Sequence, residues 1–381
     1  MRTAVAKSWI EISRSALRHN AAELRRVVGP AVRLMAVVKA NAYGHGLREV
    51  VHALGSRNAD WFGVDSLEEA VAVRSAGGRQ PILIMGYVPP AGLASVVRNG
   101  FSMIIYDMAR LKMLERLATT RRPAKVHLKL ETGTSRQGAT PLELPALAKT
   151  LRRLRNVELE GVSTHFANVE DTSDQSYARE QLRRFHEGLT LLEKAGLRPT
   201  LRHTAASAGT LLHPEAKFDL VRTGVVLYGL WPSAETEAAA ADAGLKIDLH
   251  PVLTWKTVIA QVKSLPSGTP VSYGLTERLK RPSRVAVLPV GYYDGLDRGL
   301  SSVGRMLVRG RRVKVLGRVC MNMCVVDVTD VPGAAAGDEA VIIGRQNRGA
   351  IAAEEVAEAA GTINYEIVAR LNPLLPRRLA D

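Results

Sequence analysis

Between residues 30 and 230 the chain repeats one pattern: a short apolar run, then a stretch with helical spacing of Leu, Ala and Val. The runs fall at 34–38, 61–64, 82–85, 101–105, 126–130, 161–164, 200–202 and 218–221, with helical segments such as 67–76, 142–155 and 177–195 between them. Such alternation requires a parallel sheet, because parallel strands cannot be joined by tight turns and need a crossover. Eight repeats in about 200 residues fit a closed (β/α)8 barrel of the TIM type better than an open sheet.

A barrel of this kind carries its chemistry at the C-terminal ends of its strands. Lys39 ends the first run, Lys129 the fifth, His203 the seventh and Arg222 the eighth, and His165 follows the sixth. One such residue would carry little weight; together they mark one working end.

Near residue 233 the pattern changes. Residues 232–244 are rich in Ala, Glu and Ser and read as a linker. Beyond them, runs at 252–262, 284–290, 312–315, 324–328 and 339–343 are separated by Gly and Pro turns. They predict a mostly β C-terminal domain with a final helix near 351–360. The expected division is 1–238 for the barrel and 239–381 for the β domain. A strand at 9–12 leads into a helix capped near Ser13 or Ser15, and residues 1–12 are free to pack with the second domain.

No run approaches the ~18 apolar residues needed to span a bilayer, and the N-terminus has no apolar leader segment, so a cytoplasmic location without a membrane partner is expected. The two cysteines, Cys320 and Cys324, would face the same side of one strand about 13 Å apart, too far for a disulfide. They read as buried small hydrophobes in a reducing compartment, and no metal site is expected. The net charge of +15 raises the question of nucleic acid. The basic clusters are scattered and lack interleaved aromatics, so a field that attracts anionic small molecules is the simpler account.

The stretch 36–46, AVVKANAYGHG, has its own chemistry. A valine-rich buried run stops at Lys39, and a loop of small, turn-forming residues follows. At the end of a buried strand an ammonium is poorly solvated and a neutral amine becomes accessible, which can form a Schiff base with an aldehyde. Taken alone, a strand-end lysine more often snorkels to solvent.

The stretch resembles the pyridoxal-phosphate attachment motif of the alanine racemases. Further segments resemble the same family: HLKLETGTSRQG at 127–138, GVSTHFA at 161–167, HTAASA at 203–208, VRTGVVLYG at 221–229, VSYG at 271–274, GYYDG at 291–295, GRVCMNM at 317–323 and INYEIVARL at 363–371. The resemblance implies interconversion of L- and D-alanine on pyridoxal 5'-phosphate, supplying D-alanine for peptidoglycan. It implies that Lys39 holds the cofactor and serves as one base, and that Tyr273, from the partner subunit, serves as the other. Inversion needs acid/base groups on both faces of the substrate, and a free tyrosine, which titrates near pH ~10, needs a cationic setting for that work.

The same resemblance places Arg222 at the pyridine nitrogen, oriented by His165 and His203. An arginine there can only donate. It places the phosphate on Tyr43, Ser207, Tyr365 and the amides of Gly224 and Val225, and the substrate carboxylate on Arg136 and the partner's Met321 amide. Lys129 matches a lysine that is carbamylated in many members. A homodimer with shared active sites follows. Three positions depart from the usual pattern: Asn322 stands for Asp, Ala206 for Asn, and Thr134–Ser135 for Met–Asn. These bear on substrate range, and a racemase of broader or different range, acting on serine or basic amino acids, is the alternative. Barrel-type decarboxylases of basic amino acids need an acidic group where Arg222 stands.

Overall fold

The computed structural model describes residues 6–381. Of the N-terminal stretch expected to be free for the second domain, residues 1–5 lie outside the described residues. The chain divides into two compact units. One comprises Leu17–Ala40 and Leu54–His250; the other comprises the segment ending at Ala16, Asn41–Ala53 and Pro251–Asp381.

The first unit holds eight parallel strands among the described residues: Arg33–Val37, Trp61–Val64, Ile82–Ile84, Ser102–Ile105, Ala124–Lys129, Val157–Ser163, Leu201–His203 and Leu220–Thr223. The first strand pairs with both the second and the eighth, so the sheet curls into the expected (β/α)8 barrel. The strands read as apolar runs because both faces are covered: Leu34, Met35, Phe62, Ile84, Val126 and Val221 are all at most 1% exposed. Helices begin where side chains cap them, as at Ser66 and Asp107, whose oxygens accept the Glu69 and Arg110 amides.

The barrel closes imperfectly between its seventh and eighth strands, which form no ladder. Two backbone bonds bridge them instead, Asp219 N–H to Arg202 O at 3.1 Å and Arg222 N–H to Ala205 O at 3.0 Å. An Arg202–Asp219 ion pair adds to the join. Strand-end carbonyls are thereby left without ladder partners at one end of the barrel, where a side-chain donor can meet them.

The expected linker at 232–244 is an α-helix, Ala234–Asp242. Alanine and glutamate are strong helix formers, and Ser233 caps the Thr236 amide. A linker reading from composition alone missed that cap.

The second unit is mostly β, as expected. One sheet runs in the order Arg311–Lys314, Arg305–Val308, Glu339–Gln346, Leu253–Val258, Ser8–Ser13, Arg377–Ala380. Ser8–Ser13 pairs antiparallel with Leu253–Val258 and parallel with Arg377–Ala380, and Ser13 caps the following helix at Ala16. A second sheet joins Gln261–Leu265, Ser283–Leu288 and Cys324–Asp327. Two helices, Ala353–Ala360 and Asn364–Ala369, come near the C-terminus. Cys320 and Cys324 do not share a strand: Cys320 N–H bonds Met323 O at 2.9 Å, turning the chain just before Cys324 begins its strand, and both thiols are free.

Candidate active site

The turn after the first barrel strand is wound the wrong way. Ala40, Asn41, Ala42 and Tyr43 all have φ between 52° and 54°, one left-handed helical turn built from L-residues. Each such residue costs about 1–2 kcal/mol, so the turn persists only if its surroundings hold it. Glu69 accepts the Ala40 and Asp65 amides at 2.7 and 2.8 Å. Asn41 closes the far side: its backbone oxygen takes the Gly46 amide and its side chain the Leu47 amide, both at 2.9 Å. Arg377 donates through Nε and Nη2 to Gly44 O, and a Cβ on Gly44 would lie 1.7 Å from Val368 O. Lys39 is the residue immediately before the left-handed turn, just past the strand it was expected to end.

Within the barrel unit, Arg222 fills the opening between the last two strands. Nη1 donates to His203 O at 2.9 Å and His203 Nδ1 at 2.7 Å; Nη2 donates to Thr164 O at 2.9 Å, Thr204 O at 2.8 Å and His165 Nδ1 at 3.3 Å. Among the described residues none takes its Nε–H. Burial lowers the guanidinium only to about 10, so it stays a cation at neutral pH.

That cation sets the protonation of a buried chain. Arginine donates, so His203 Nδ1 must accept, and His203 Nε2–H then donates to His127 Nδ1 at 2.8 Å. His127 Nε2–H in turn donates to Glu160 Oε2 at 3.1 Å, which also accepts from Ser102. Burial lowers the pKa of both histidines, with the Arg222 charge pushing the same way, so both are neutral. Burial would raise Glu160, but the bonds from His127 and Ser102 hold it down at about 2. The chain therefore has a cation at one end, an anion at the other and two neutral imidazoles with assigned tautomers between. His165 is held near 3 by burial and by the Arg222 and Lys129 charges, and is neutral too.

Sequence reasoning missed His127, Glu160 and Ser102. A histidine and a glutamate inside otherwise apolar strands were the available signal. A β-bulge concealed their pairing: Val126 faces Leu159 and His127 faces Gly161, so Glu160 is the extra residue and is re-aimed. Gly161 makes room for the chain, since a Cβ there would lie 2.3 Å from His127 Nδ1.

Lys129 is buried at the end of its strand, its Nζ 3.4 Å from Gln137 Oε1. Burial, then the positive charges of Arg222 and Arg136, lower its amine to about 8. Arg136 sits exposed on a loop that wraps the Glu131 carboxylate, which accepts the Gly133, Thr134 and Arg136 donors. Ser207 is buried at the start of Ser207–Leu212, and its Oγ accepts the Gly224 amide at 3.1 Å. Val225 opens the 3-10 turn Val225–Tyr228, so its N–H has no partner within that turn. Ala206 precedes Ser207 as a helix cap without a side-chain bond.

The second unit brings together Tyr43 and Tyr365, with ring centroids 6.2 Å apart. Burial raises Tyr43 to about 12, so its phenol keeps its proton and can donate. Tyr273 occupies the tip of a hairpin between Pro270–Val271 and Glu277–Arg278 and is 72% exposed. Ser272 ties that tip to Arg318 O at 2.6 Å. Met321, at 55% exposure, lies beside Tyr292 and Tyr293, whose amides bond Cys320 O and Met321 O.

Within the barrel unit, Lys129, His165, His203 and Arg222 stand at or just beyond the C-terminal ends of the strands, where enzymes of the barrel class carry their chemistry. The chain belongs to the alanine racemase family: the profile described as "Alanine racemase, N-terminal domain" matches residues 12–232 and that described as "Alanine racemase, C-terminal domain" matches residues 252–379. An alanine racemase of Symbiobacterium thermophilum is 43% identical over 371 residues, 97% of this chain and 96% of the relative. The crystal structure of alanine racemase from D-cycloserine-producing Streptomyces lavendulae superposes with a TM-score of 0.91 at 36% identity, covering 99% of this chain and 97% of that one. That of Bacillus anthracis with bound L-Ala-P gives 0.91 at 33%, covering 98% and 95%. No helix among the described residues is long and apolar enough to cross a membrane.

Proposed function

We propose that the chain interconverts L- and D-alanine as a homodimer that uses pyridoxal 5'-phosphate, supplying D-alanine for peptidoglycan. Bound pyridoxal phosphate supplies an electron sink that makes the α-proton of an amino acid removable. The donor set suits that group. The observation that carries the reading is Arg222: its two Nη groups are locked on barrel acceptors and its Nε–H remains to be given. A donor that cannot accept would meet the ring nitrogen in its unprotonated form. Ser207, Val225, Tyr43 and Tyr365 are donors suited to the phosphate, Gly224 would join them by turning its amide from Ser207 Oγ to the anion, and Lys39 is suited to the aldehyde carbon.

Lys39 moves a proton on one face of the substrate and Tyr273 of the partner subunit on the other. The exposure of Tyr273 and Met321 in a single chain supports a role completed by a second copy. Arg136 and the partner's Met321 amide hold the substrate carboxylate. Treating the purified, yellow holoenzyme with borohydride is expected to fix the cofactor onto Lys39; a mapped label on another lysine would overturn the assignment. Turnover of alanine above serine, lysine and arginine in the same preparation is the expected order. A preference for one of the others would assign the broader range to Asn322 or Ala206.

Lys129 is proposed to carry a carbamate, giving Arg136 an anionic partner. The reaction consumes the neutral amine, and an amine near 8 supplies more of it as pH rises. The carbamate signal from 13C-labelled bicarbonate is expected to grow between pH 7 and 9 and to vanish in Lys129→Ala.

A further inference from the structure

The hairpin that carries Tyr273 has a rooted base and a strained tip. At the base, Val271 and Leu279 join Val285 and Leu316 in one buried cluster, and Glu277 pairs with Lys314 at 3.1 Å. At the tip the backbone takes positive φ on both sides of Tyr273: 64° at Ser272, 73° at Gly274 and 52° at Leu275. Ser272, with ψ at −172°, occupies a region open essentially to glycine. A residue with a Cβ persists there only where its surroundings hold it.

Arg318 holds it. The Ser272 hydroxyl donates to Arg318 O at 2.6 Å and lies 3.4 Å from Cys320 Sγ. Gly317 permits this approach, since a Cβ there would lie 2.9 Å from Ser272 Cβ and 2.4 Å from Val271 O. The Arg318 side chain reaches the other flank of Tyr273, where a Cβ on Gly274 would meet Cζ at 3.0 Å. One residue thus grips the chain immediately before Tyr273 through its carbonyl and immediately after it through its guanidinium. A glycine at 272 would adopt this backbone without strain and leave it as readily; serine brings the hydroxyl that fastens it.

We propose that Ser272, latched to Arg318, is a positioning residue for Tyr273. The proposal rests on the reading of Tyr273 as the acid/base group on one face of the substrate. Tyr273 is 72% exposed in the single chain, so its own side chain has little packing there to orient it, and the backbone must do so. The sign of φ at Ser272 decides the direction in which the chain enters Tyr273. The latch fixes that direction before substrate arrives, and a misplacement of about 1 Å in such a group costs on the order of 10²-fold in rate.

The test compares Ser272→Ala and Ser272→Gly with Tyr273→Phe in the holoenzyme, whose cofactor absorbance reports folding. Alanine keeps the strained Cβ and loses the bond, whereas glycine loses both. Exchange of the α-hydrogen with deuterated solvent is started separately from L- and D-alanine. In Ser272→Ala it should fall about ten- to hundredfold on the Tyr273 face and change by less than about twofold on the other. Ser272→Gly should lose less than Ser272→Ala. Amide hydrogen exchange across residues 271–276, read by mass spectrometry, should rise in Ser272→Ala and stay unchanged in the barrel strands. Native rates on both faces in Ser272→Ala, equal losses on both, a larger loss in Ser272→Gly, or unchanged amide exchange at the tip would each overturn the latch while a one-sided loss in Tyr273→Phe still upheld the role of Tyr273. Equal loss on both faces in Tyr273→Phe would instead withdraw that role, and the proposal with it.

Discussion

Replacing Tyr273 by Phe is expected to leave proton exchange on one face of alanine nearly intact and to slow it on the other by about 10²–10⁴-fold, the usual worth of a positioned acid/base. The hydroxyl is the only atom removed, and Tyr273 is at an exposed hairpin tip, so the fold should not change. The measurement is exchange of the α-hydrogen with deuterated solvent, started separately from L- and D-alanine. Equal loss from both directions would mean that a single group serves both faces, and the two-base reading would fail. The proposed exchange of residues between subunits adds a second readout. Mixing Lys39→Ala with Tyr273→Phe chains gives heterodimers in which one site has both intact groups, so about a quarter of native sites should return after full exchange. No recovery with verified exchange would place both groups in one chain.

Acid is expected to destabilise the barrel earlier than its carboxylates alone would predict. His165 has its pKa lowered from 6.5 to about 3, chiefly by burial and then by Arg222. A group whose folded pKa is lowered contributes fully above its unfolded pKa, and that contribution is lost as pH falls toward the folded value. From pH 6.5 to 5 this amounts to about 2 kcal/mol for His165 alone, at about 1.4 kcal/mol per unit. His203 and His127, both buried and neutral, act in the same direction. Glu160, lowered from 4.5 to about 2, adds its loss below pH 4.5. Denaturant unfolding at pH 7, 6 and 5 should show the slope, and His165→Asn should flatten it. Glu160→Gln keeps a hydrogen-bonding shape but removes the anion, and should cost about 3 kcal/mol at pH 7. Constant stability from pH 7 to 5, or an unchanged slope in His165→Asn, would show that the imidazoles are not held neutral as the hydrogen bonds require.

The barrel was legible because its strands are buried on both faces and its helices on one, which writes a repeat into the sequence that survives without any coordinates. Strand ends were legible for the same reason: Lys129, His203 and Arg222 are charged or polar groups where an apolar run stops. The helix at Ala234–Asp242 was missed because low complexity resembles a linker until Ser233 is seen to cap it. The two cysteines were assigned to one strand because a turn at 321–323 without Gly or Pro leaves no local mark.

The amino-acid sequence by itself determined the fold class and the identity of the groups at the strand ends, since these depend on periodicity and residue type, while the family was carried by the resemblance of its motifs. The tertiary structure alone decided three things. It wound the segment after Lys39 left-handed, a conformation that L-residues adopt only when contacts distant in sequence, from Glu69 to Arg377, hold them. It sent Asn41–Ala53 into the unit formed mainly by the C-terminal half. And it joined Arg222 to Glu160 through two neutral histidines, because a single bulged residue changes which way a side chain faces, and a two-residue period cannot show where the period is broken.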